Sequence, residues 1–141
     1  MSDHTYTVEF RIYGDNLSPE KISAVLGLNP IRSYSKGAQF GNRIREEGLW
    51  AFSGDADYEY EALEDGLDNV LSNLWDKKDL VKEIGQSGMR LVWWCGHFQS
   101  AFDGGPTLSP GLMSRLGEFG AELFLDCYFS EEDSRSSPNA D

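Results

Sequence analysis

An α+β sandwich, with helices packed on one face of a mainly antiparallel sheet, is the fold class predicted by this chain of 141 residues. Three observations carry it. Leu17-Ser18-Pro19 and Leu108-Ser109-Pro110 each follow a strand-like run, so each reads as a strand feeding a helix. Serine caps the first free N–H groups, and the proline after it loses nothing because its missing N–H would have had no partner. Tyr6, Val8, Phe10 and Ile12 alternate with Thr7, Glu9, Arg11 and Tyr13, the period of a half-buried strand. From Glu59 to Ile84 apolar residues recur at three and four, the period of an amphipathic helix.

The elements follow in order. The strand Thr7 to Tyr13 ends at Gly14-Asp15-Asn16, and the helix after Ser18 carries Ile22, Val25, Leu26 and Leu28 before the stop signal of Gly27 and Asn29-Pro30. Ile31 to Ser35 and Leu49 to Phe52 are strand candidates that pair as a hairpin across a long polar loop. Glu59 to Ile84 is one long helix, or two joined by a kink where the period slips between Trp75 and Asp79. Arg90 to Phe98 is apolar on both alternating faces and is expected mid-sheet, since a strand covered on both sides shows that pattern. The second capped helix holds Leu112, Met113, Leu116 and Phe119, and the last strand runs from Glu122 to Phe129. The resulting order β-α-β-β-α-β-α-β is ferredoxin-like with an added helix and strand.

A hydrophobic content of 40% suffices for one core, so residues 1–130 are read as a single domain. Residues 131–141 are an acidic, serine-containing tail with nothing to bury, expected to be disordered. No apolar run is long enough to span a bilayer and the N-terminus lacks the pattern of a signal peptide, so a cytoplasmic protein without membrane contact is expected. The formal net charge of -12 repels polyphosphates, which argues against nucleic acid. Cys95 and Cys127 fall in apolar strands, where a reduced thiol behaves as a small hydrophobe.

The ordered motifs add a resemblance. Phe10-Arg11-Ile12-Tyr13-Gly14-Asp15 with Leu17-Ser18-Pro19-Glu20, then Leu26 to Ser33 with Lys36-Gly37, then Gly48-Leu49-Trp50, and finally Thr107-Leu108-Ser109-Pro110 with the closing strand, resemble the bacterial domain-of-unknown-function family 4279 (DUF4279). The resemblance implies a small, stand-alone α+β domain without an established enzymatic activity. Some related small proteins are suspected immunity partners of secreted toxins, and that role is carried over as an expectation.

Three surfaces are candidates for function. Arg32, Ser33, Lys36 and Trp50 are read as a ligand-binding group for an anion or acidic peptide, because a guanidinium grips a carboxylate or phosphate with two parallel hydrogen bonds and the Gly37 and Gly41 loop leaves backbone N–H groups accessible. The plainer alternative has Arg32 paired with an acid such as Asp15, and Trp50 in the core. The second surface is the sheet face opposite the helices, with Glu9, Arg11 and Tyr13 of the first strand and Phe124, Asp126 and Tyr128 of the last. Either Trp94 and Phe98 or Trp93 and His97 join it. Aromatic and arginine side chains dominate interfaces, so this face fits a protein partner or a homodimer. The third is the acidic run containing Asp57, Glu59, Glu61 and Glu64, which suits a basic partner or serves as a solvated face.

Enzyme signals are thin. Cys95 and His97 share a strand face, yet the only other histidine, His4, lies near a terminus expected to be mobile, and no set of metal ligands is complete. No catalytic residue, cofactor or metal is assigned. The expected function is a non-catalytic binding protein, of immunity type, that takes another and basic protein. The alternative is a small module for an anionic ligand, or a weak enzyme, built on Arg32, Lys36 and Trp50.

Overall fold

β1 (His4–Gly14) is the strand on which the sheet is built, pairing antiparallel with β5 (Gly48–Phe52) on one side and β6 (Arg90–Gln99) on the other. The computed structural model describes residues 3–54 and 59–130. β2 (Arg32–Tyr34) pairs antiparallel with β5, and β7 (Glu122–Phe129) runs parallel to β6, which gives the order β2-β5-β1-β6-β7. β5 therefore lies between β1 and β2 and splits the β1–helix–β2 unit, the ferredoxin-like arrangement. β7 is the added strand. A parallel neighbour is out of reach of a tight turn, and the helix α4 (Pro110–Gly117) supplies the crossover from β6.

The helices start where the sequence places their caps. Ser18 accepts a hydrogen bond from the Lys21 N–H ahead of α1 (Pro19–Leu26), and Ser109 accepts one from the Leu112 N–H ahead of α4. Gly27 ends α1 at φ 68°, a left-handed conformation that glycine adopts without strain. The long helical stretch takes its two-helix form: α2 (Leu63–Leu74) and α3 (Lys78–Gln86) are joined by a 3-10 turn over Trp75–Lys77, where the apolar period slips.

One core lies between the sheet and the helices. Phe10, Trp50, Trp93, Leu67, Leu71, Leu74 and Phe119 are buried in it, with Trp93 edge-on to Phe10 at 4.7 Å and to Phe119 at 5.3 Å between ring centroids. α2 comes close to β1 at Gly66. A Cβ there would stand 2.7 Å from the Tyr60 ring and 2.8 Å from Val8.

Two expectations change. The loop between β2 and β5 contains its own hairpin, β3 (Gln39–Phe40) with β4 (Arg43–Ile44), turning through Gly41 at φ 63°. The Arg45 guanidinium lies 4.9 Å from both the Tyr34 and Phe40 rings, and this stacking holds the hairpin against β2. β6 sits one place from the sheet's edge and β1 takes the centre. The two-sided apolarity of β6 comes from helices on one side and a layer of long side chains on the other. The tail 131–141 lies outside the described residues, and among those described no helix is long and apolar enough to cross a membrane.

Candidate functional site: the open face of the sheet

Side chains of paired residues point to the same side of a sheet, so the register sorts them. Phe10 is opposite Phe52 and Trp93, which places Trp50, Phe52, Trp93, Cys95 and His97 with the helices. Glu9, Arg11 and Tyr13 of β1 point the other way, together with Arg32 of β2, Trp94 and Phe98 of β6, and Phe124, Asp126 and Tyr128 of β7. Trp94 and Phe98, and not Trp93 and His97, complete the open face. Periodicity alone could not choose between them because β6 is apolar in both phases.

The centre of this face is ionic and buried. Glu9 is 1% exposed; its Oε1 accepts from Arg11 Nε at 2.8 Å, and its Oε2 accepts from Arg32. Taking a carboxylate out of water costs several kcal/mol, and two guanidinium groups offset that here. Arg11 is fixed further by donating to the Tyr13 hydroxyl at 2.9 Å and by lying 4.1 Å from the Trp94 ring centroid. Its neighbours in register, Ala51 and Val92, are fully covered although they stand outside the main core. Glu9 thus pairs with one arginine from its own strand and one from β2.

Around that centre lies an exposed aromatic rim at β6 and β7. Phe98 stacks on Tyr128 with centroids 5.0 Å apart and planes 9° from parallel, while each remains 40% exposed. Phe124 is 48% exposed beside Trp94. The Tyr128 hydroxyl donates to Asp126 at 2.5 Å, and this bond, with some desolvation, raises the phenol's pKa. Arg90 lies over the Tyr13 ring and pairs with Glu122 at 3.2 Å.

The sequence profile described as a domain of unknown function, DUF4279, matches residues 4–130, from the first residue of β1 past the end of β7. The chain belongs to the DUF4279 family. No curated protein and no solved structure matches it.

In this DUF4279 domain the four residues read as a ligand group are not brought together. Arg32 is on the open face against Glu9, and its acid is Glu9 where the sequence pointed to Asp15. Trp50 is fully buried on the helix side, donating from Nε1 to the Ser23 hydroxyl at 3.0 Å. Ser33 shares Trp50's side of the sheet, Lys36 is exposed in the turn after β2, and the Gly37 N–H is spent on the Arg45 carbonyl at 2.9 Å. The sheet stands between Arg32 and Trp50.

The acidic run divides as well. Glu59 and Glu61 are exposed and flank Tyr60, whose N–H and C=O both bond to Tyr6 at 2.8 Å. Glu64 accepts from the Ser109 N–H at 2.5 Å and Asp68 pairs with Arg115 at 3.3 Å, so these two acids tie α2 to the start and end of α4. Asp57 lies outside the described residues. A cleft of about 360 Å³ between α3 and the start of β6 and β7, lined by Lys82, Met89, Arg90 and Phe119, includes none of the residues singled out from the sequence as sites.

His97 is on the same strand face as Cys95, as spacing predicts. The Cys95 thiol is buried, turns to the Trp93 carbonyl at 3.8 Å, and is pushed up to about 12 by desolvation. His4 is the first residue of β1, paired opposite Gln99, where a mobile terminus was expected. Among the described residues no group of three or more His, Cys, Asp or Glu side chains is arranged to hold a metal ion.

Proposed function

We propose that this DUF4279 protein is a non-catalytic binding module that takes a basic protein on the open face of its sheet, in the manner of an immunity protein that masks its partner. The observation that carries the reading is the aromatic rim of Phe98, Phe124 and Tyr128 set beside the fixed Arg11–Glu9–Arg32 cluster. Exposed aromatic side chains beside arginines held by a buried carboxylate match the composition of interface hot spots. Pairing Arg11 and Arg32 with Glu9 before binding lowers the ordering entropy that association must overcome. The net charge of -12 favours a cationic partner and speeds its approach.

Co-purification from the native cell, with the partner identified and its charge read from its sequence, tests this. Truncating a hot spot costs about 2 kcal/mol or more, roughly thirtyfold in affinity. The paired change Phe124→Ala and Tyr128→Ala is therefore expected to release a basic protein that the wild type retains. Retention of the same protein by that variant, with loss on Glu59→Lys and Glu61→Lys instead, would move the interface to the acidic segment. A thermal upshift with small anions, abolished by Arg32→Ala, would favour the anionic-ligand alternative; a ligand at a hundred times its Kd adds about 2.7 kcal/mol.

A further inference from the structure

A second cluster lies on the helix side of the sheet, at the corner where β1 begins and β7 ends. The register places Tyr6, His97 and Cys127 side by side across β1, β6 and β7. The Tyr6 ring stacks on the His97 imidazole at 4.6 Å, and His97 is 3% exposed. Cys127 Sγ is 3.9 Å from His97 Nδ1, His97 Nε2 is 2.9 Å from His4 Nδ1, and His4 Nε2 is 2.9 Å from the Asp103 carbonyl oxygen.

The direction of this chain follows from its last member. A carbonyl only accepts, so His4 Nε2 carries a hydrogen; the tautomer in which His4 Nδ1 accepts from His97 Nε2–H leaves the His97 Nδ1 lone pair facing the sulfur. Burial, and secondarily His4, lowers the His97 pKa, so the neutral ring is the form present at neutral pH. Gly104, at φ 89°, lets the loop reach His4; a Cβ there would come within 3.0 Å of His4 Nε2. Of the two thiols Cys95 is enclosed and Cys127 is exposed.

We infer that Cys127 is a nucleophilic thiol and a modification site for small disulfides, with His97 as the base that takes its proton and His4 as the residue that positions His97. A nucleophile, a base within reach and a third group orienting the base form the arrangement that activates weak nucleophiles. The Sγ–H proton passes to His97 Nδ1 as Sγ bonds to one sulfur of the disulfide. The incoming S–S bond breaks, and its second sulfur leaves as a thiolate that is protonated from His97. The products are a mixed disulfide on Cys127 and one free thiol, with the disulfide itself as the oxidant. This site is on the opposite side of the sheet from the docking face and does not depend on it.

The whole chain, treated with dithiobis-nitrobenzoate at neutral pH, tests the inference. One thiol per native chain is expected to react, faster than the thiols of the same chain unfolded in urea, and that fast reaction is expected to vanish in Cys127→Ser. His97→Gln is expected to slow it about tenfold at unchanged circular dichroism, because a free thiol is only a few per cent thiolate near pH 7. His4→Gln should slow it by less. Exposure to oxidised glutathione should add one glutathione mass at Cys127. A folded His97→Gln protein reacting at the wild-type rate overturns the inference. So does a native Cys127 that reacts no faster than the unfolded thiols, a comparison that decides the matter even where His97→Gln fails to fold.

Discussion

Glu9 is the residue on which the open face depends. Replacing it with alanine leaves Arg11, only 17% exposed, beside an empty space with its charge uncompensated. Removing one partner of a buried pair costs about 3–5 kcal/mol, so Glu9→Ala is expected near the lower figure by urea denaturation. Arg32→Ala should cost about 1 kcal/mol, because the Arg32 side chain is 43% exposed and Glu9 keeps Arg11. Equal losses for the two variants would contradict the arrangement. His97 gives a pH dependence. Its folded pKa is lowered by burial and by His4, so between that value and the unfolded value of about 6.5 the unfolded chain binds the proton first. Its contribution to stability is present above about pH 6.5 and is lost as pH falls toward the folded pKa. Urea midpoints measured from pH 7.5 downward should decline through that window in the wild type, and the decline should be smaller in His97→Asn. Alternation in β1 was enough to place Glu9, Arg11 and Tyr13 on one face. The partners of Glu9 and His97 were not legible, because both lie across strands far apart in sequence and depend on register.

Among the elements, α1 and α4 were readable from their caps, since a helix N-terminus is a local matter of a serine, a proline and three free N–H groups. Ser18→Ala and Ser109→Ala are each expected to cost about 1 kcal/mol. α2 shows the opposite case. A glycine inside a helix costs about 1 kcal/mol against alanine by propensity, so Gly66→Ala should stabilise an isolated helix. In the folded chain the added methyl would meet Val8 and Tyr60 under 3 Å away. Overpacking of that kind costs about 1–3 kcal/mol, and a lowered melting temperature is the expected outcome. A raised one would mean α2 does not approach β1 this closely. The β3–β4 hairpin was hidden for a different reason: its strands are too short for a period, and its support from Arg45, Tyr34 and Phe40 is a tertiary contact.

At the scale of the whole molecule, the sheet divides the chain into two surfaces with different chemistry. The helix side carries the core and, at one corner, the Cys127–His97–His4 chain. The other side carries the ionic centre and the aromatic rim, on a protein whose net charge is -12. A cationic partner should therefore associate more slowly as salt is raised, since screening shortens to about 8 Å at physiological ionic strength, while dissociation set by the aromatic contacts should change little. Arg32 and Trp50, which the sequence suggests as one pocket, lie on opposite faces of the sheet. Their closeness along β2 and β5 is real, but strand parity in a three-residue segment could not show that they face opposite ways. The most direct test of the docking face is site-specific photocrosslinking in the native cell, with a photoreactive phenylalanine analogue at position 124 and, as control, at the exposed Val25 of α1. A crosslink to one basic protein from position 124 and none from position 25 is the expected result. The absence of a position-124 adduct, or equal capture from both positions, would contradict the account.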